Sequence, residues 1–267
     1  MSDVYSIITE VEDDMLERIA DVLELRAADP QQKAMRDSYW AEVEFPKEAR
    51  VLEVGCGTGA VSRALAAWPG VGEVVGVDPS PVFLEKARYE ASGIENLSFE
   101  EADGRSLPFD NSSFDATVMH TLLCHVPEPE GAVAEAFRVL RPGGWAAFFD
   151  GDYATTTVSI GDFDPLQACA DATIAGSVHD RWLIRRFPTL ARKTGFEVTS
   201  FRSHGYSETS EPVYMLTVID RGADLLATQG RITTENAEAL KAEARRRAEA
   251  GEFFGHITYA SLIARKP

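Results

Sequence analysis

Apolar residues first recur at helical spacing near the amino terminus, where Val11, Met15, Ile19, Val22 and Leu23 predict an amphipathic helix over residues 10–28. Asp29-Pro30 ends it, and a second short helix is expected over 31–43. From Arg50 onward the pattern changes. Short apolar, β-rich runs appear at 51–55, 73–78, 97–103, 114–121 and 145–151, separated by helical segments at 58–68, 81–92 and 131–140. Strands alternating with helices predict a parallel sheet with right-handed crossovers and helices on both faces. Sheets of this kind bind ligands outside the carboxyl ends of their strands. That edge falls at residues 55–59, 78–80, 103–104, 120–125 and 150–153. The rest is less regular: residues 161–193 read as mostly helical, 196–205 as a strand, 211–228 and 234–250 as helices, and 253–266 as a closing strand. The expected organisation is a helical lid at 1–44 and one α/β domain at 45–267. That domain carries helical cap insertions at about 151–185 and 206–250, over the substrate site.

Composition narrows the functional classes. Forty-three acidic against 26 basic residues leave a net charge of −17, a field that repels phosphate backbones and favours neutral or cationic ligands. The only basic cluster, at 241–250, is interleaved with Glu243 and Glu249 and reads as an ion-paired helix face. No run of about 18 apolar residues predicts a membrane span. The first residues are acidic where a secretion signal would be basic. Cys56, Cys124 and Cys169 are odd in number and lack metal-like spacing, which predicts reduced thiols, a cytoplasmic protein and no metal site.

The strongest chemical signal is the turn Gly55-Cys56-Gly57-Thr58-Gly59-Ala60, placed where a strand becomes a helix. Glycines there permit a tight turn and close approach of a ligand to the backbone. The spacing alone also satisfies the dinucleotide fingerprint. Glu53 argues for an ammonium-bearing ligand, because a carboxylate just before the loop opposes a pyrophosphate. Asp78, at the end of the next strand, is placed to accept ribose hydroxyls; its other reading is an acid at a helix N-terminus. Asp103-Gly104 closes the third strand, where a carboxylate and a backbone N–H suit an adenine ring.

Together VLEVGCGTG, VVGVDPS, EEADGRSLPF, FDATVMHTLLCHVPEP and EAFRVLRPGG resemble, in order and spacing over residues 45–150, the motifs of class I S-adenosylmethionine (SAM)-dependent methyltransferases. The similarity is greatest to the small-molecule group related to ubiquinone and menaquinone methyltransferases. It implies a Rossmann-like, seven-stranded, mostly parallel sheet with an antiparallel last strand. It also implies SAM as cofactor: Glu53, Gly55, Cys56 and Gly57 at the methionine part, Asp78 and Pro79 at the ribose, Asp103 and Gly104 at the adenine, and His120 beside it. The partner implied is a small-molecule methyl acceptor, with neither nucleic acid nor membrane; a homodimer is left open. Rival readings are an NAD-dependent oxidoreductase, a non-methylating SAM-binding protein and a macromolecular methyltransferase.

His120 ends the fourth strand, where an imidazole either deprotonates the acceptor or packs against the cofactor. His125 either orders the following loop or meets substrate. Asp150, Asp152 and Tyr153 follow the fifth strand and suit a substrate amine or hydroxyl, with loop capping as the alternative for Asp152. On the helix before the first strand, Arg36 and Tyr39 are further substrate-facing candidates. Arg36 meets either the methionine carboxylate or a surface carboxylate.

Overall fold

A computed structural model describes Ile8, Val11 and residues 13–267. Glu10 and Glu12, at the start of the expected first helix, lie outside the described residues, as does the side chain of Met15. The helix α1 runs Asp13–Ala28 and α2 Pro30–Trp40. Between them Asp29 caps α2, its Oδ1 accepting from the amides of Gln31 and Gln32, with Pro30 pre-set for the first turn.

The core is a seven-stranded sheet in the order β3-β2-β1-β4-β5-β7-β6. Its strands are β1 Ala49–Val54, β2 Val71–Asp78, β3 Leu97–Glu101, β4 Phe114–His120, β5 Leu140–Thr157, β6 Glu197–Glu208 and β7 Gly255–Arg265. All neighbours from β3 to β5 are parallel, and β7 runs antiparallel to both β5 and β6. The strand order reverses direction between β1 and β4, which opens a crevice at the carboxyl edge. Crossover helices are α3 Ala60–Ala66, α4 Pro81–Glu90, α5 Pro129–Val139 and α7 Phe187–Thr194. The extra helices are α6 Leu166–Ser177, α8 Tyr214–Thr228 and α9 Thr234–Ala250.

Central strands are buried on both faces, which explains their near-continuous apolar runs. Along β4, Ala116 and Val118 face one core and Phe114 and Met119 the other. Helix α2 belongs to the first core: Tyr39 and Trp40 are fully buried there, Tyr39 stacked on Phe149 of β5 at 5.3 Å. Two strands at the antiparallel end overrun the expected boundaries. β5 pairs with β7 out to Thr157, and β6 with β7 out to Glu208, so the antiparallel end of the sheet projects into the segment expected to be cap. The β-branched run Thr155-Thr156-Thr157 suits that extension, and Thr155 Oγ1 accepts from the amide of Thr258 across it.

At the far end Glu208 accepts from the amides of Val213, Tyr214 and Met215 and so caps α8. The basic stretch of α9 is ion-paired as expected, Arg245 to Asp220 and Arg246 to Glu243 and Glu252. Among the described residues, no helix is long and apolar enough to cross a membrane. The three cysteines are buried, and none forms a disulfide among the described residues.

Candidate active site

The carboxyl ends of β1, β2 and β4 form the floor of a cavity of about 270 Å³. Leu23, Arg26 and Ala27 of α1 and Gln32 and Arg36 of α2 line its other side. Helices α6, α8 and α9 contribute no residue to this wall, so the described cavity is closed by the N-terminal helices and not by the segments expected to cap it.

The glycine loop takes its shape from left-handed backbone at Gly55 and Gly57, φ +73° and +51°. A Cβ on Gly55 would lie 2.5 Å from Leu122 Cδ1, and one on Gly104 2.6 Å from Val54 Cγ1, so a side chain at either position would force its neighbour on the cavity wall to shift. The loop amides turn inward. Gly55 and Cys56 both donate to the carbonyl of Val77, at 2.8 and 2.9 Å, and Gly59 to that of Cys56 at 2.8 Å. The amide of Gly57 donates to Asp78 Oδ2 at 2.9 Å. A pyrophosphate would need these donors, and they are already used.

Two buried carboxyls stand at the floor. Glu53 is 1% exposed and accepts a short hydrogen bond from Ser62 Oγ. Burial raises its pKa to about 8; the Ser62 bond opposes the shift, Asp78 adds to it, and Arg63 and Arg36 pull it back. Asp78 is raised to about 6 by burial, against bonds from the amides of Ser80 and Gly57. The cap of α4 is Ser80, whose Oγ accepts from the amide of Phe83, so the helix-capping reading of Asp78 is not needed. A carboxylate accepts about four hydrogen bonds, so Asp78 keeps capacity for a ligand's hydroxyls. Cys56 and Pro79 also line the cavity, with burial pushing the Cys56 thiol up. Asp103 and Gly104 reach the wall, but the Asp103 carboxylate is held by Arg105, 2.7 Å from Oδ2 to Nη2, which lowers its pKa.

His120 lines the cavity with Nδ1 2.8 Å from the Tyr39 hydroxyl and its ring stacked on Phe149 at 4.6 Å. Burial, then the charges of Arg26 and Arg36, hold its pKa well below the usual histidine range. Tyr39 itself is buried and outside the wall. It was expected to face substrate, yet reaches the cavity only by orienting His120. Arg36 lines the cavity and pairs with Asp37. His125 lines it as well, from the one-turn helix Leu123–His125.

Asp150, Asp152 and Tyr153 were expected at the substrate and lie elsewhere. Asp150 is fully buried, its Oδ2 accepting from the amide of Cys124 and its Oδ1 from that of Gly151, so it anchors the loop after β4. Asp152 pairs with Arg185 at 2.8 Å. Tyr153 packs in the core, 4% exposed. The reason is the extension of β5: past Phe149 the chain continues along β7 and does not turn over the cavity. Sequence reasoning in turn missed Arg26, Gln32 and Thr121. Arg26 Nη2 donates to Thr121 Oγ1 at 2.6 Å, linking α1 to the end of β4. No local motif marks such a contact.

The fold is a Rossmann-like domain, and residues 52–148 match the family described as methyltransferase domain. Over that segment the chain is similar to class I SAM-dependent methyltransferases, the quinone methyltransferases among them. It is 35% identical over 115 residues to demethylmenaquinone methyltransferase of Staphylococcus epidermidis, covering 43% of this chain and 48% of the relative. The chain spans about half the length of the curated relatives it matches, or somewhat less. Among solved structures, a protein of Bacillus halodurans assigned as a methyltransferase superposes with a TM-score of 0.63 at 22% identity, over 87% of this chain and 98% of that one. The cyclase SpnF superposes with 0.57 at 22% identity, over 88% and 82%. At these identities the superpositions establish the fold alone.

Proposed function

We propose that the protein transfers a methyl group from SAM to a small molecule. The observation that carries this is the pairing of a glycine loop whose amides are spent internally with two buried carboxyls, Glu53 and Asp78, at the cavity floor. That arrangement suits a ligand presenting an ammonium and a ribose, and disfavours the pyrophosphate of a nicotinamide dinucleotide. Glu53 would take the methionine ammonium and Arg36 the methionine carboxylate. Asp78 would take the ribose, and Asp103 with Gly104 the adenine edge once Asp103 exchanges Arg105 for ligand. SAM when bound supplies a methyl group on an electrophilic sulfonium. The chain's own part is to align the acceptor beside His120, exclude water and receive the acceptor's proton. Three buried cysteines outside any disulfide among the described residues support a reducing, cytoplasmic setting.

Calorimetry should show SAM and S-adenosylhomocysteine binding and no NAD binding; tight NAD binding without SAM would end this reading. Asp78→Ala should weaken SAM by at least about tenfold, because charge-assisted hydrogen bonds of roughly 1.5–3 kcal/mol are lost. A lower Tm with unchanged affinity would leave Asp78 a loop-holding role only. A non-methylating protein on the same fold is the second reading, since the fold neighbour SpnF is a cyclase. A product 14 Da heavier than a component of a metabolite extract, seen by mass spectrometry, decides between them.

A further inference from the structure

Gln32 lines the cavity from the first turn of α2 at 4% exposure, and neither its Oε1 nor its Nε2 makes a hydrogen bond of normal geometry among the described residues. Buried amides are almost always satisfied, and one left unpaired costs stability. The Tyr259 hydroxyl approaches it and is unsatisfied in the same way; a bond between them would occupy one of the amide's four positions. Its neighbours in the chain fix where Gln32 stands. Gln31 Nε2 donates to the carbonyl of Ser207 on β6 at 2.8 Å, and Asp29 Oδ2 lies 3.3 Å from the Tyr206 hydroxyl on the same strand. Tyr206 meets Tyr259 of β7 edge to face, with ring centres 6.2 Å apart. The start of α2 is therefore pinned to the β6–β7 side of the sheet. Two turns further on, Tyr39 reaches His120 of β4 and stacks on Phe149 of β5. Gln32, Arg36 and Tyr39 share one helix face at i, i+4 and i+7, so this face of α2 crosses the cavity from β7 toward β4.

The strand order gives Gln32 its distance from the chemistry. β1, β4, β5 and β7 are successive neighbours and carry Glu53, His120, Phe149 and Tyr259. Adjacent strands lie about 4.8 Å apart, so the β7 side stands roughly 10 Å beyond His120, away from Glu53 and Asp78. The carboxyls proposed for the cofactor thus lie on one side of His120 and Gln32 on the other, where the methyl acceptor belongs. Hydrogen bonds of about 3 Å at each end leave the width of one ring between the two groups they hold. An amide supplies no counter-charge, so a charged ligand group buried against it would be costly. His120, held by Tyr39 and Phe149, is a base that a hydroxyl nucleophile needs and a neutral amine does not. From this geometry we infer that the methyl acceptor is a small hydroxyl compound carrying a second, uncharged oxygen, a carbonyl or another hydroxyl, one ring's width away and bound by Gln32. The inference rests on the methyltransferase reading above. The hydroxyl oxygen's electron pair forms the new O–C bond and the S–C pair returns to sulfur. The hydroxyl proton passes to His120 Nε2, so the positive charge of the sulfonium ends on the imidazole.

The test supplies the protein with methyl-labelled SAM and a metabolite extract, and identifies the labelled product by mass spectrometry and NMR. That product should carry a new methoxyl group and at least one further oxygen. Gln32→Met, of similar size, should raise KM for the isolated acceptor by about 5- to 100-fold, the range for leaving one buried partner unsatisfied. Both kcat and S-adenosylhomocysteine affinity should stay within about threefold, because the lost contact is made equally before and during the transfer. The Tm of Gln32→Met should hold or rise, since no unpaired amide remains buried, whereas a structural role would lower it. An analogue of the acceptor lacking the second oxygen should bind the native protein as weakly as the acceptor binds Gln32→Met, and the variant should weaken it no further. An unchanged KM, a loss of S-adenosylhomocysteine affinity in place of acceptor affinity, a methyl on nitrogen or carbon, a product with no further oxygen, or no product although S-adenosylhomocysteine binds overturns the inference. Failure of the native protein to bind S-adenosylhomocysteine would instead end the reading beneath it.

Discussion

His120→Gln is expected to lower kcat by about 10²–10⁴, the range for losing a positioned general base, while SAM affinity changes little. Two contacts fix the imidazole. Phe149 stacks on one face, and the Tyr39 hydroxyl lies 2.8 Å from Nδ1. Burial drives the Tyr39 pKa upward, so the phenol keeps its proton at every working pH. For His120 to accept a proton at Nε2, Nδ1 must carry the hydrogen and donate it to the Tyr39 oxygen. Tyr39→Phe removes that acceptor and should lower kcat with KM nearly unchanged. The pH profile separates this role from mere packing. Burial and the charges of Arg26 and Arg36 hold the imidazole neutral through the neutral range, so its inflection belongs below the ordinary value near 6.5. The rate rise through ordinary imidazole titration, expected of an unperturbed histidine, is displaced to lower pH. Should His120→Gln weaken SAM binding and leave the saturated rate intact, the residue packs against cofactor and alignment alone performs the transfer.

Much of this architecture was legible in the sequence because its signals are local. The turn from β1 into α3 requires glycine at Gly55, Gly57 and Gly59, all with positive φ. The strands β1, β2 and β4 bury both faces and therefore read as unbroken apolar runs. Asp78 and Glu53 fell into place because a strand's end and its last inward residue are fixed by register. What failed was non-local. Whether β5 turned over the cavity or ran on along β7 depends on pairing with residues about a hundred positions later, and that decided the fate of Asp150, Asp152 and Tyr153. Arg26 faces the cavity through its contact with Thr121, 95 positions away, and Gln32 differs from an ordinary surface glutamine only in its tertiary setting. Helical spacing locates the helix but does not say which polar residue on its boundary meets a ligand.

The unliganded protein should lose stability as pH rises from about 6.5 to 8, and SAM should reverse the trend. In the folded chain Glu53 holds its proton up to about pH 8, whereas its ordinary value is 4.5. Between those values folding takes up a proton, so stability is greatest at the acid side of the window and is lost as pH rises through it. Asp78 adds to the slope in a narrower window, from 3.8 to about 6. Below that, the trend reverses: Asp103, Glu135 and Asp164 have lowered pKa values, and the stability they contribute disappears as they are protonated. Up to about pH 6.5 His120 and His204, whose pKa values are lowered, oppose the slope because the unfolded imidazoles bind the proton there, so the net decline belongs to the range above it. The decline from there to pH 8 should amount to about 2 kcal/mol, since each tenfold change in a carboxyl's proton affinity is worth about 1.4 kcal/mol. Glu53→Gln should flatten this decline. Binding of an ammonium beside Glu53 favours the ionised carboxylate, so S-adenosylhomocysteine should bind more tightly between about pH 5.5 and 7.5 as pH rises and should release a proton on binding. Calorimetry in two buffers of different ionisation enthalpy reads that proton directly. Proton uptake, or release that persists in Glu53→Gln, would show that the ammonium lies elsewhere. The carboxyl would then be a buried, protonated partner of Ser62 and no part of the cofactor site.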